Sequence, residues 1–187
     1  SMFAFATQFN QPVNFSTNNV QNMSSMFASA TKFNQPVAFD TQNVLNMNSM
    51  FQNASSFNQL VALDTKNVID MRSMFEGASN FNRPLKFSTN QVTSMRAMFA
   101  SARQFKQNVT FSSVAAVTDM TSMFSNVSSG FEQDLGSWDT SSVANCSQFC
   151  YSCGLPSFPR CQPCAPGPRL RRSNPAMDVC NCPQNDC

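Results

Sequence analysis

One property limits the folds open to this chain more than any other: from Ser1 to about Cys150 it repeats itself every 24 residues. Units begin at Ser1, Ser25, Ser49, Ser73 and Ala97, with slightly longer ones at Ser122 and Gln148. A fixed period in this range marks a repeat solenoid, in which no unit can bury its apolar side alone and stacked neighbours supply the core. Eight columns are apolar or small in nearly every unit, represented in the second by Met26, Phe27, Ala30, Phe33, Val37, Phe39, Val44 and Met47. These are the expected inward side chains. Most of the nineteen Phe and nearly all of the twelve Met fall in such columns, so these residues read as core material. Met at a fixed inward position is a flexible gap filler before it is a soft-metal ligand.

Three local signals recur within a unit. Ser25-Met26-Phe27-Ala28-Ser29-Ala30 opens on a serine suited to cap a helix and places Met26 and Phe27 four and three residues before Ala30. A short helical turn is expected there, and Ser73-Met74-Phe75-Glu76 adds the capping-box pattern. Val37-Ala38-Phe39 alternates inward and outward like an extended segment, and Val44-Leu45-Asn46-Met47 is a second short strand, with Asp40-Thr41-Gln42-Asn43 as the turn between them. The predicted fold is α/β coils with one short helix and one or two very short parallel strands per 24-residue unit. About six coils, at an inter-strand spacing of about 4.8 Å, would span roughly 30 Å.

Charge argues against electrostatic recognition. Charged residues are 12% of the chain, and Asn, Gln, Ser and Thr supply the surface instead. Up to Phe149 the repeats carry eight Lys or Arg and eight Asp or Glu, with no basic stripe of the kind nucleic acid requires. No nucleic-acid partner is expected. The chain has no His, which removes Ser/His and Cys/His nucleophile pairs and His-ligated catalytic zinc, and it has no Gly-rich phosphate loop. The expectation is therefore a non-catalytic protein without cofactor or metal.

Polar columns have plain structural readings beside more ambitious ones. Asn10, Asn34, Asn58 and Asn82 share a column in which stacked amides can satisfy backbone groups at a corner of each coil. Thr17, Thr41, Thr65 and Thr89 form a row that could order water or ice on a flat face, although a turn hydroxyl explains one Thr per coil more simply. Asp40 and Asp64 lie one coil apart, so their carboxylates could approach to about 5 Å, as a calcium ion or a retaining glycosidase would use. The same column holds Ser16, Ser88 and Ser112, and alternation of Asp with Ser is what a side chain bonding to its own turn produces.

Composition changes after residue 149. All eight Cys fall between Cys146 and Cys187: Cys146, Cys150, Cys153, Cys161, Cys164, Cys180, Cys182 and Cys187. Seven of the ten Pro lie between Pro156 and Pro183. Residues 1–149 thus read as a solenoid of about six 24–26-residue repeats, and 150–187 as a Cys/Pro-rich disulfide-stapled tail or the start of a further extracellular module. Cys150-Tyr151-Ser152-Cys153 and Cys161-Gln162-Pro163-Cys164 could form a Cys₄ zinc site, but their close spacing and the four cysteines left over favour disulfides. Disulfides would place the protein outside the cytosol. Six Asn-x-Ser/Thr sequons, at Asn14, Asn22, Asn53, Asn108, Asn126 and Asn145, suit a glycosylated secreted chain. With no signal peptide and no membrane-length apolar segment, the chain reads as a fragment of a longer array, with membrane attachment only through segments it does not contain.

The pattern SMFxxAxxFNQPV, followed by a Thr-containing turn and VxxM, resembles the BspA-like leucine-rich-repeat surface proteins, whose repeats of this length also occur in mycoplasma lipoproteins. The likeness runs from Ser1 to about Cys150, and the family's WDTS is intact at Trp138-Asp139-Thr140-Ser141. The resemblance implies a leucine-rich-repeat-like solenoid, extracellular or at the cell surface, used in adhesion or partner binding.

A recognition face is expected where outward residues differ from coil to coil along the Val44-type strand: Gln21 and Asn22, Leu45 and Asn46, Ile69 and Asp70, Thr93 and Ser94, Thr118 and Asp119. The leading reading is a cell-surface repeat module that binds a protein or glycan ligand, set against a purely structural spacer or wall component and, more distantly, a carbohydrate-active enzyme.

Overall fold

A computed structural model describes residues 1–153. Cys161, Cys164, Cys180, Cys182 and Cys187, and nearly all of the expected 150–187 tail, lie outside the described residues.

Successive units lie one on another in parallel register. Asn22 bridges Asn46, Asn46 bridges Asp70, Asp70 bridges Ser94, Ser94 bridges Asp119 and Asp119 bridges Asn145, all parallel. The partner offset rises from 24 to 25 and then 26 along this series, so the longer late units still keep their columns aligned. A second row runs through the Val37 column. There Val37 bridges Val61, and β1 (Leu85–Phe87) pairs in parallel with β2 (Val109–Phe111), Leu85 opposite Val109.

No helix occurs among the described residues, and the turn expected to be helical is built differently. In Ser25–Ala30 the backbone N–H groups divide their partners in alternation. Met26, Ala28 and Ala30 donate to carbonyls three residues back, at Met23, Ser25 and Phe27. Ser25, Phe27 and Ser29 donate instead to Asn48, Met50 and Gln52 of the next unit, at 2.8, 2.9 and 2.6 Å. An α-helix would need every N–H to turn inward on its own segment. Ser25 and Ser29 adopt left-handed φ values of 53° and 57°, which break any right-handed run and aim every second N–H at the neighbour. The same conformation returns at Ser49 and Asn53, Ser73 and Gly77, and Ala97 and Ser101.

The interior is a set of ladders. All eight inward residues of the second unit are buried, and Phe27, Ala30, Phe33, Val44 and Met47 have no exposed surface. Phe27, Phe51, Phe75, Phe99 and Phe124 form one column with ring centroids 5.4 to 5.7 Å apart. Phe33, Phe57, Phe81 and Phe105 form a second at 5.8 to 5.9 Å. Within a unit the two columns touch, Phe27 against Phe33 at 4.0 Å and Phe51 against Phe57 at 4.1 Å. Near-parallel rings at these separations combine large apolar burial with offset stacking.

Candidate functional site

The expected recognition strip lies along the row of parallel bridges, where the backbones of Leu45, Ile69 and Thr93 both donate and accept across units. Leu45 N–H donates to Gln21 C=O at 2.8 Å, Ile69 to Leu45 at 2.9 Å, Thr93 to Ile69 at 2.9 Å and Thr118 to Thr93 at 2.8 Å. The outward side chains therefore stand on a rigid ladder with one residue per unit.

The two residues that each unit contributes have different roles. The second faces back onto its own chain: the Oδ1 atoms of Asn22, Asn46, Asp70 and Asp119 accept the backbone N–H of Ser24, Asn48, Arg72 and Thr121 at 2.8 to 3.0 Å. Ser94 Oγ makes the same contact to Arg96 at 3.4 Å. These are Asx-type turns that start the tight segment of the next unit. Asp70 also holds Arg72 through its guanidinium, with Nη2 to Oδ2 at 2.6 Å, and this hydrogen bond raises the Arg72 pKa above its ordinary value. Asn22, Asn46, Asp70, Ser94 and Asp119 thus serve the fold.

The first residue of each pair is exposed at every step. The Thr93 and Thr118 hydroxyls donate to Ile69 C=O at 3.3 Å and Thr93 C=O at 3.1 Å. Gln21, Leu45 and Ile69 remain as side chains directed only outward, with Leu45 40% and Ile69 42% exposed on adjacent units.

Other polar columns resolve into structural roles. Thr17, Thr41, Thr65 and Thr89 are buried, so they form no flat external plane for water or ice. The Oγ1 atoms of Thr17, Thr41 and Thr65 donate to the backbone carbonyls of Asp40, Asp64 and Ser88 at 2.9, 2.8 and 2.9 Å, and Thr89 donates to Ser113. Asp40 and Asp64 each accept an N–H two residues on, from Gln42 at 3.2 Å and Lys66 at 3.1 Å. The Lys66 backbone N–H, aided by its ammonium at 3.2 Å, holds the Asp64 carboxyl below its ordinary pKa, so Asp64 serves a turn. The asparagine column is also directional. The Oδ1 atoms of Asn10, Asn34, Asn58 and Asn82 accept the backbone N–H of Asn34, Asn58, Asn82 and Lys106 at 2.9 to 3.1 Å.

Cys150 and Cys153 are joined by a disulfide; Cys161 and Cys164, the other CxxC pair, lie outside the described residues. Cys146 takes the place of an inward methionine and is buried. Among the described residues no group of three His, Cys, Asp or Glu is placed to hold a metal ion. All six sequon asparagines, Asn14, Asn22, Asn53, Asn108, Asn126 and Asn145, are exposed.

One surface feature was not anticipated from the residues. A shallow groove of about 370 Å³ is lined by Asn34, Ser56, Asn58, Asn80, Asn82 and Gln104, beside the buried Phe57 and Phe81. The signal was present in the column preceding the inward Phe, which is polar and variable: Gln8, Lys32, Ser56, Asn80, Gln104.

The sequence model of one protein family, described as "Mycoplasma protein of unknown function, DUF285", matches the chain twice, over residues 1–85 and 59–157. No curated protein and no solved structure matches it.

Proposed function

The chain belongs to the DUF285 family of mycoplasma-type repeat proteins, and from that premise we propose that it is a non-catalytic binding module of an extracellular or cell-surface protein, a solenoid of the BspA-like leucine-rich-repeat kind. The Cys150–Cys153 disulfide supports an oxidising compartment, where such bonds persist. Six exposed sequons are compatible with the same location.

The observation that carries the binding role is the pair Leu45 and Ile69. Two large apolar side chains stand next to each other, 40% and 42% exposed, on a ladder whose backbone is already paired. Their exposure does nothing for the core, and the rigid ladder means that little conformational entropy is lost when a partner covers them. Gln21 on one side and Thr93 on the other give this contact a polar rim. The ligand class is a protein or glycan partner.

The test is to screen the whole chain against matrix proteins, glycans and intact cells, then repeat any positive with Leu45→Asp and Ile69→Asp. Both positions are exposed, so the variants should melt like the parent. Loss of binding supports the reading. Unchanged binding removes the strip from it, and failure to bind any probe leaves the structural spacer as the better account.

A further inference from the structure

We propose that the groove lined by Asn34, Ser56, Asn58, Asn80, Asn82 and Gln104 is a second binding site, separate from the Leu45/Ile69 strip, and that it takes a neutral, linear, hydroxyl-rich polysaccharide running along the stack. Each asparagine on one side of the groove is held by the next unit. Oδ1 of Asn34 accepts Asn58 N–H at 2.9 Å, Oδ1 of Asn58 accepts Asn82 N–H at 3.0 Å and Oδ1 of Asn82 accepts Lys106 N–H at 3.1 Å. A carboxamide whose oxygen is fixed has its NH₂ group fixed too, in the same plane. The groove edge therefore presents one oriented donor per unit, whose side chain is already restrained before a ligand binds.

A second row faces the first. Ser56, Asn80 and Gln104 use their backbone N–H groups to bond Thr31, Ser55 and Ser79 of the preceding unit, at 3.1, 3.2 and 3.1 Å. Their side chains make no hydrogen bond within the described part of the protein, and Asn80 and Gln104 are exposed. The groove thus has a locked donor row along one side and an adaptable row of amides and a hydroxyl along the other. Both repeat once per unit, on either side in sequence of the inward Phe57 and Phe81, whose ring centroids are 5.9 Å apart.

The chemistry of the lining selects the ligand. None of its six residues is charged, and of the cations beside it Arg83 already donates its Nε to Asn58 C=O at 2.9 Å, so the lining itself offers a ligand hydrogen bonds and no ion pair. A peptide strand would need free backbone groups at an edge, but the N–H groups of Asn34, Asn58 and Asn82 already bond the asparagine oxygens of the preceding units. Amides and hydroxyls that both donate and accept, repeated at one-unit intervals, match the hydroxyls of an extended β-linked glucan or chitin-type chain, whose sugar repeat is close to the inter-strand spacing of about 4.8 Å. Binding should strengthen as the oligosaccharide lengthens, until it spans the four units that line the groove.

The experiment uses the whole chain and titrates cellohexaose, laminarihexaose and chitohexaose, with the shorter members of each series, to about 1 mM by calorimetry and by ligand-observed NMR. The expected result is saturable binding of at least one series that tightens with length and is weakened tenfold or more by Asn80→Ala with Gln104→Ala. Those side chains support no other residue, so an unchanged melting temperature verifies the fold. Leu45→Asp should leave the binding intact, which separates this site from the strip. The proposal is overturned if the folded protein binds none of the three series, if affinity does not change with length, if the double variant binds like the parent, or if a neutral Gly-Ser hexapeptide binds equally well.

Discussion

The side-chain oxygen of Asn34 accepts the backbone N–H of Asn58 at 2.9 Å, across 24 residues of sequence. One asparagine thereby ties the corner of its own unit to the corner of the next, and Asn10, Asn58 and Asn82 repeat the link.

Removing one such link should be measurable. Asn34→Ala leaves the Asn58 N–H without its acceptor and is expected to cost about 1 kcal/mol, since water reaches this part-buried site and offsets some of the loss. Asn34→Asp keeps an acceptor oxygen and should recover most of the stability at neutral pH. Urea denaturation of the two variants beside the parent checks both expectations.

Phe75 has no exposed surface and stacks between Phe51 at 5.5 Å and Phe99 at 5.7 Å while touching Phe81 at 4.2 Å. Phe75→Ala opens a cavity in the middle of a ladder and should cost about 3–5 kcal/mol. Because each unit contacts only its neighbours, the loss should also broaden the denaturation transition as the stack on either side begins to melt separately. Phe5, which is 77% exposed, is the control: Phe5→Ala should change stability little.

Gly77 adopts φ 66°, and a Cβ placed there would lie 2.1 Å from Asn53 Oδ1. Its counterparts Ser29, Asn53 and Ser101 carry side chains in the same left-handed conformation, so the conformation itself is tolerated at this column. Gly77→Ala should therefore cost about 1–2 kcal/mol, from left-handed strain together with displacement of Asn53. Adding Asn53→Ser should return part of that cost by removing the obstructing amide. Thermal melts of the single and double variants separate the two contributions.

The pH dependence follows from the carboxylates. The Asp64 pKa is lowered, first by the Lys66 backbone N–H, and the Asp139 pKa is lowered, first by its side-chain hydrogen bond with Ser141. A group with a depressed folded pKa stabilises the fold above its unfolded value and loses that contribution as pH falls through the folded one. The melting temperature should hold steady between about pH 5 and 8, because the chain has no His to titrate there. It should decline below about pH 4, as carboxylates protonate. A step in stability near neutral pH would contradict this assignment.

What could be read from the residues alone was whatever repeats. The eight apolar columns, the period and its late lengthening are written in the order of residues, because a side chain that must be buried in every unit leaves the same letter type at the same interval. The turn role of the Asp40 column was legible for the same reason.

Only the tertiary structure decided where each backbone N–H goes. Ser25-Met26-Phe27 carries helix signals, yet alternate N–H groups bond Asn48 and Met50 of the next unit, a competitor that a single unit of sequence does not display. Likewise Asn46 and Asp70 looked as outward and variable as Leu45 and Ile69, until their oxygens were found on the N–H groups of Asn48 and Arg72. The groove lined by Asn58 and Asn80 exists only once units are stacked, since its lining is drawn from four successive repeats. Burial leaves a periodic trace in the chain, whereas hydrogen-bond partnership between units depends on register, which is set when the units meet.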